Sequence, residues 1–93
     1  MPRALVITRR FQQTYSKLPL HEQGLVDAAL QKFHAYLRTG QAPGGLGIKQ
    51  LHRRTHEFRA GLALRVVYVV EAETVYLALV GRHDDVQRFL RRQ

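Results

Sequence analysis

Apolar residues keep helical spacing in the first part of this chain and strand spacing in the last. After a short apolar strand over residues 3–8, Phe11, Tyr15 and Leu18 fall at i, i+4 and i+7. Thr8 is placed to cap that first helix and Pro19 to break it. Val26, Ala29, Leu30, Phe33, Tyr36 and Leu37 then mark one stripe of a second helix over residues 20–38, with Gly40 as its stop. The segment Gln41-Ala42-Pro43-Gly44-Gly45-Leu46-Gly47 separates the two regimes. It lacks the Gly-Lys-Ser/Thr ending of a phosphate loop and precedes a strand, where that motif needs a helix, so it reads as a connector without a ligand.

Beyond the connector, residues 48–53, 55–60, 64–70 and 74–80 read as strand segments. A three-residue turn with Gly61 at a positive-φ position keeps Phe58 in the core and Glu57 out of it, whereas a two-residue turn reverses both. Pairing Glu71 with Thr74 across a two-residue turn places Arg65 opposite Val80. Arg82 then lies diagonally across from Arg65, roughly 7–8 Å away, a spacing suited to gripping a phosphate between two guanidinium groups. In this register Phe58, Leu64, Val66, Tyr68, Val70, Val75, Leu77 and Leu79 face the helices. Thr55, Glu57, Arg59, Arg65 and Arg82 share the opposite, open face with Val67, Ala78 and Val80. Asp84 is expected to cap a last helix over residues 85–92, with Val86, Phe89 and Leu90 as its apolar side. The order predicts an α+β domain over residues 1–93, a helical hairpin on one face of a small, mainly antiparallel sheet with a short C-terminal helix.

Charge narrows the partner. Fifteen Lys and Arg against seven Asp and Glu give a formal net charge of +8, which favours a polyanion. Most of these cations are arginine, the side chain that binds phosphate through a planar fork. Without cysteine there is no disulfide frame and no thiolate nucleophile, and a reducing, cytoplasmic setting is compatible. The N-terminus lacks the pattern of a signal peptide, no run approaches transmembrane length, and no membrane partner is expected.

The histidines carry unequal weight. His21 and His34 lie without ligand spacing on the second helix and read as solvent-facing. His52 and His56 bracket Arg53-Arg54, a basic run suited to tracking a nucleic-acid backbone. Nothing in the sequence fixes His52, His56 and His83 into a metal site, and neither metal nor cofactor is expected. His83 stands at an exposed strand end beside Arg82, a proton-transfer residue next to a fixed cation.

Leu18-Pro19, Lys49-Gln50-Leu51, Glu57-Phe58-Arg59-Ala60-Gly61, Leu64-Arg65-Val66-Val67-Tyr68 and Val80-Gly81-Arg82-His83-Asp84 occur in an order and spacing that resembles the RelE/ParE toxin superfamily of type II toxin–antitoxin systems. The resemblance covers nearly the whole chain, and the histidine in Gly81-Arg82-His83 is most like the YafQ and HigB-like members. It implies a toxin that cleaves mRNA in the ribosomal A site and is silenced by a cognate antitoxin. The ParE branch implies instead a DNA gyrase poison without chemistry. A third reading is a non-toxic RNA-binding relic, motivated by Thr55 and Glu57, which stand where RelE-type members carry basic residues. The tyrosine those members carry in the last segment is also absent, so their mechanism does not transfer whole.

Under the nuclease reading, metal-independent cleavage needs a base for the 2′-OH, an acid for the 5′-oxygen and cations for the developing charge. His83 is the candidate acid or base, and Arg65 with Arg82 the candidate phosphate clamp. Glu57 is either the second acid-base group or the cross-strand salt partner of Arg65. Arg59, Lys49, Arg53 and Arg54 are the candidate flanking RNA contacts.

Overall fold

Local chemistry sets most of the element boundaries. A computed structural model describes residues 4–92, so Arg3, expected in the first strand, lies outside the described residues. Strand β1 (Ala4–Ile7) leads into α1 (Arg9–Ser16), whose N-cap is Thr8. The Thr8 hydroxyl accepts the Phe11 N–H at 3.1 Å and donates to the Leu77 carbonyl at 2.7 Å, so one side chain caps the helix and ties it to the sheet. Pro19 precedes α2 (Leu20–Thr39), and Gly40, at φ 77°, ends it in the left-handed conformation that favours glycine. The two helices are clasped near their junction. Gln23 donates to the Tyr15 carbonyl at 3.1 Å, and the Tyr15 hydroxyl donates to Asp27 at 2.7 Å.

The sheet comprises β1, β2 (Lys49–Gln50), β3 (Thr55–Ala60), β4 (Leu64–Glu71) and β5 (Thr74–Gly81) in the order β1-β5-β4-β3-β2. Neighbours are antiparallel except β1, which runs parallel to β5. The three-residue turn at Gly61 is present, with φ 78° at Gly61 and Arg59 facing Arg65. β2 is shorter than the expected 48–53: both Leu51 and His52 donate to the Thr55 carbonyl, closing a turn that contains Arg53 and Arg54.

α2 lies against one sheet face. Phe33 is fully buried, its ring centroid 4.5 Å from that of Phe58 and 4.6 Å from that of Tyr68. Val26, Val66, Val75 and Leu77 complete this core. Leu46 joins it, so the glycine-rich connector also supplies a core residue. Gly45 and Gly47 adopt positive φ on either side of Leu46, and the Leu46 carbonyl accepts the Arg59 N–H at 2.8 Å.

Two expectations fail, one at β5 and one at α3. Glu71 does pair with Thr74, but a β-bulge at Ala78 shifts the upper half of the hairpin, so that Tyr68 faces Leu77 while Val67 faces Leu79. One extra residue in one strand exchanges the faces beyond it. Leu79 therefore turns away from α2 and Val80 turns toward it, the reverse of simple alternation. Arg65 faces Gly81, not Val80. The bulge also frees the Val80 N–H, which donates to the Thr14 hydroxyl of α1 at 3.0 Å.

The second failure concerns α3 (His83–Arg91), which starts two residues before the expected position. Its N-cap is Arg82, whose N–H donates to the Asp85 carboxylate at 2.9 Å, so Asp85 closes the first turn from inside the helix. Val86, Phe89 and Leu90 pack on Val67, Ala78 and Leu79, and this part of the expected open face is covered.

Candidate active site

β2, β3 and β4 bring four of the expected site residues to the sheet surface on the α3 side. Lys49 faces Glu57 across β2 and β3, and Arg59 faces Arg65 across β3 and β4. Glu57 and Arg65 meet on the diagonal, with Arg65 Nε 3.3 Å from Glu57 Oε2. Glu57 is only 9% exposed and its ion pair is largely withdrawn from solvent, where charge–charge attraction exceeds that of a surface pair. Arg59 lies exposed at the rim, its side chain passing over Gly47. A methyl group on Gly47 would come within 3.2 Å of Arg59 Cδ, so the glycine admits the arginine stem.

His83 opens α3 and is exposed. It shares a helical stripe with Val86 and Leu90 at i+3 and i+7, the residues that pack onto the sheet around Val67 and Leu79. That stripe directs His83 to the same side of the sheet as Arg65, and it stands two residues beyond Gly81, which faces Arg65. Gly81 leaves room for Asp85: a Cβ would lie 2.7 Å from Asp85 Cβ and 2.8 Å from its carboxylate oxygen and would displace that side chain.

Arg82 is separated from this group. Because the bulge places Gly81 opposite Arg65, Arg82 turns to the other side and pairs with Glu22 at the start of α2, 2.6 Å away. The expected Arg65–Arg82 clamp is not assembled on one face. Arg53 and Arg54 are also remote. Arg54 lies 3.2 Å from Glu71 at the far end of β4, and both arginines line a cavity with Tyr36, Ile48, His56 and Tyr68 on the α2 side. His56 stacks on Tyr68 there with a 5.2 Å centroid separation. His21 and His34 are exposed on α2, as their positions indicated. Among the described residues no three or more His, Asp or Glu are grouped to hold a metal ion.

A second basic feature escaped the sequence reading. Arg10 of α1, Lys17 at its C-terminal end, Arg82, and Arg88 and Arg92 at the other flank border a groove of about 380 Å³ floored by Leu18, Leu79, Val80 and Gly81. The one signal for it was the spacing of Asp85, Arg88, Phe89 and Arg92 at i, i+3, i+4 and i+7, which puts them on a single face of α3. The α1 wall is not readable without the fold.

No protein-family model matches the chain, and no curated protein matches it in sequence. Solved structures match it in fold. A copper-bound mutant toxin from Helicobacter pylori superposes with a TM-score of 0.70 at 20% identity, covering 90% of this chain and 98% of that one. The RelB–RelE antitoxin–toxin complex of Methanococcus jannaschii gives 0.68 at 13% identity, covering 90% and 96%. The Escherichia coli DinJ–YafQ toxin–antitoxin complex gives 0.68 at 11% identity, covering 92% and 98%. The described residues form three helices and a five-stranded mixed sheet, the RelE-like α+β fold.

Proposed function

We propose that this chain is the toxin of a type II toxin–antitoxin pair and acts as a ribosome-dependent, metal-independent endoribonuclease on mRNA in the cytoplasm. The observation that carries the reading is the Glu57–Arg65 pair beside Arg59, on the sheet surface over which α3 begins with His83. A scissile phosphate entering this surface draws Arg65 toward its non-bridging oxygens and away from Glu57. The released carboxylate takes the 2′-OH proton as the 2′-oxygen attacks phosphorus. The His83 imidazolium gives a proton to the 5′-oxygen as the P–O5′ bond breaks. The products are a 2′,3′-cyclic phosphate and a 5′-hydroxyl, and no atom or charge is left over. Arg65 and Arg59 neutralise the developing charge, and Lys49 meets the neighbouring phosphate. The ribosome supplies the substrate orientation that so shallow a surface lacks.

The antitoxin partner is inferred from the fold relatives solved with RelB and DinJ. A site held in an internal ion pair also fits a second reading, a ParE-type gyrase poison without catalysis, and the observation favouring it is that Glu57 neutralises Arg65 in the resting molecule. Induced expression of the wild type and of His83→Ala in a susceptible host separates the two. The nuclease reading predicts growth arrest by the wild type only. Arrest by both proteins, accompanied by trapped gyrase–DNA complexes, would establish the poison.

A further inference from the structure

We infer that the groove between α1, the end of β5 and α3 is a second RNA-binding surface, holding the phosphates of a single-stranded segment on the opposite flank of α3 from His83. It rests on the reading that the partner is RNA, but it involves none of the proposed acid-base groups.

Five cations from three parts of the fold converge on this groove: Arg10, Lys17, Arg82, Arg88 and Arg92. Two of them are already engaged, Arg82 with Glu22 and Arg88 with Asp85. Arg10, Lys17 and Arg92 are exposed, on two walls facing one another. Three cations that pair with no carboxylate among the described residues, in a shared concavity, focus a positive potential that exposed cations scattered on a convex surface do not. The floor is apolar, and Phe89 lies half-buried at its edge with the Arg10 guanidinium 5.7 Å from the ring centre. An arginine over an aromatic ring offers a flat surface on which a base of any identity can stack. Phosphate-binding cations around an apolar and aromatic floor favour single-stranded RNA over an acidic peptide, which has no planar group for the platform.

The groove exists because of the bulge at Ala78. By turning Val80 toward α1, it lets Thr14 take the Val80 N–H and draws α1 alongside the end of β5. The same shift carries Arg82 out of the Arg65 face and into the groove wall. The irregularity that dismantles the simple two-arginine clamp thus builds a second basic surface.

The test is fluorescence anisotropy with a 5′-labelled, fully 2′-O-methylated eight-nucleotide RNA, which cannot be cleaved, over a series of salt concentrations. The full chain is compared with Arg10→Gln/Lys17→Gln/Arg92→Gln and with an equal-charge control, Lys32→Gln/Arg38→Gln/Arg91→Gln. Each phosphate contact on a single strand contributes about 0.7 to the slope of log affinity against log salt. The groove variant is expected to lose about 2 from that slope and to bind about 100-fold more weakly at 0.1 M salt. The control should keep the wild-type slope within about 0.7, the value of one contact. Equal losses in both variants, or an unchanged groove variant, would overturn the groove while leaving the Arg65 face as the RNA site. Tighter binding of a labelled hepta-glutamate than of the RNA by the wild type at the same salt, lost in the groove variant, would overturn it in favour of an acidic peptide. Wild-type cleavage of unmodified mRNA, scored separately, reports on the nuclease reading whatever the groove does.

Discussion

Glu57 is the partner of Arg65 and, in the proposed mechanism, the base that takes the 2′-OH proton. Removing its charge without its shape distinguishes the two roles. Glu57→Gln should cut ribosome-dependent cleavage by roughly 10²–10⁴-fold, the usual worth of a general base, while RNA binding is retained or tightened because Arg65 is released. Single-turnover cleavage alongside anisotropy reads both quantities. Retained cleavage would reduce Glu57 to a salt partner of Arg65. Tyr15 supplies a pH-dependent contact of a purely structural kind. Its hydrogen bond to Asp27, with smaller contributions from desolvation and from the carboxylate charge, raises the phenol above its ordinary pKa of 10.0. A raised folded-state pKa means that the α1–α2 clasp is fully present below pH 10 and is lost as pH climbs through the raised value. Chemical denaturation between pH 9 and 12 should therefore show a stability decline that is shallower in Tyr15→Phe.

At the scale of elements, the cap of α3 and the bulge in β5 decide where the site residues fall. Asp85 accepts the Arg82 N–H and occupies the space beside Gly81, so Asp85→Ala should destabilise the fold by roughly 0.5–2 kcal/mol, as for the loss of other helix caps. Gly81→Ala should act in the same direction by displacing Asp85, and thermal melts check both. Thr14→Val leaves the part-buried Val80 N–H without its acceptor, at a cost of about 1–3 kcal/mol. These two features also mark where the sequence stopped being legible. The helical stripe of Phe11, Tyr15 and Phe33, the Thr8 cap, the Gly40 stop and the turn at Gly61 all follow from local chemistry and were readable. Alternation in the last strand was not sufficient. Ala78, Leu79 and Val80 are all apolar, so nothing in their order marks an inserted residue, and the register slip moved Arg82 away from Arg65. Asp84 and Asp85 are both able to cap a helix, and only the approach of the Asp85 carboxylate to the Arg82 N–H selects between them. On the α3-side surface, Glu57, Arg59 and Arg65 were placed together correctly because Gly61 fixes the register of β3 and β4. Lys49 joins them through the two-residue strand β2, where a longer strand was expected.

At the scale of the molecule, an excess of positive charge is divided between two flanks of a displaced C-terminal helix, the Arg65 face on one and the α1–α3 groove on the other. Arg53 and Arg54 lie at the far end of the sheet. Overall RNA affinity should therefore fall steeply with salt, while cleavage of RNA already held on the ribosome should depend on the small cluster at Glu57, Arg65 and His83. No described helix is long and apolar enough to cross a membrane. The measurement that bears most directly on the central claim is mapping of cut ends on a defined mRNA, with and without translating ribosomes, for the wild type and His83→Ala at equal concentration. The account predicts cuts that require ribosomes, end in a 2′,3′-cyclic phosphate and disappear in the variant. An intact mRNA in every sample would contradict it.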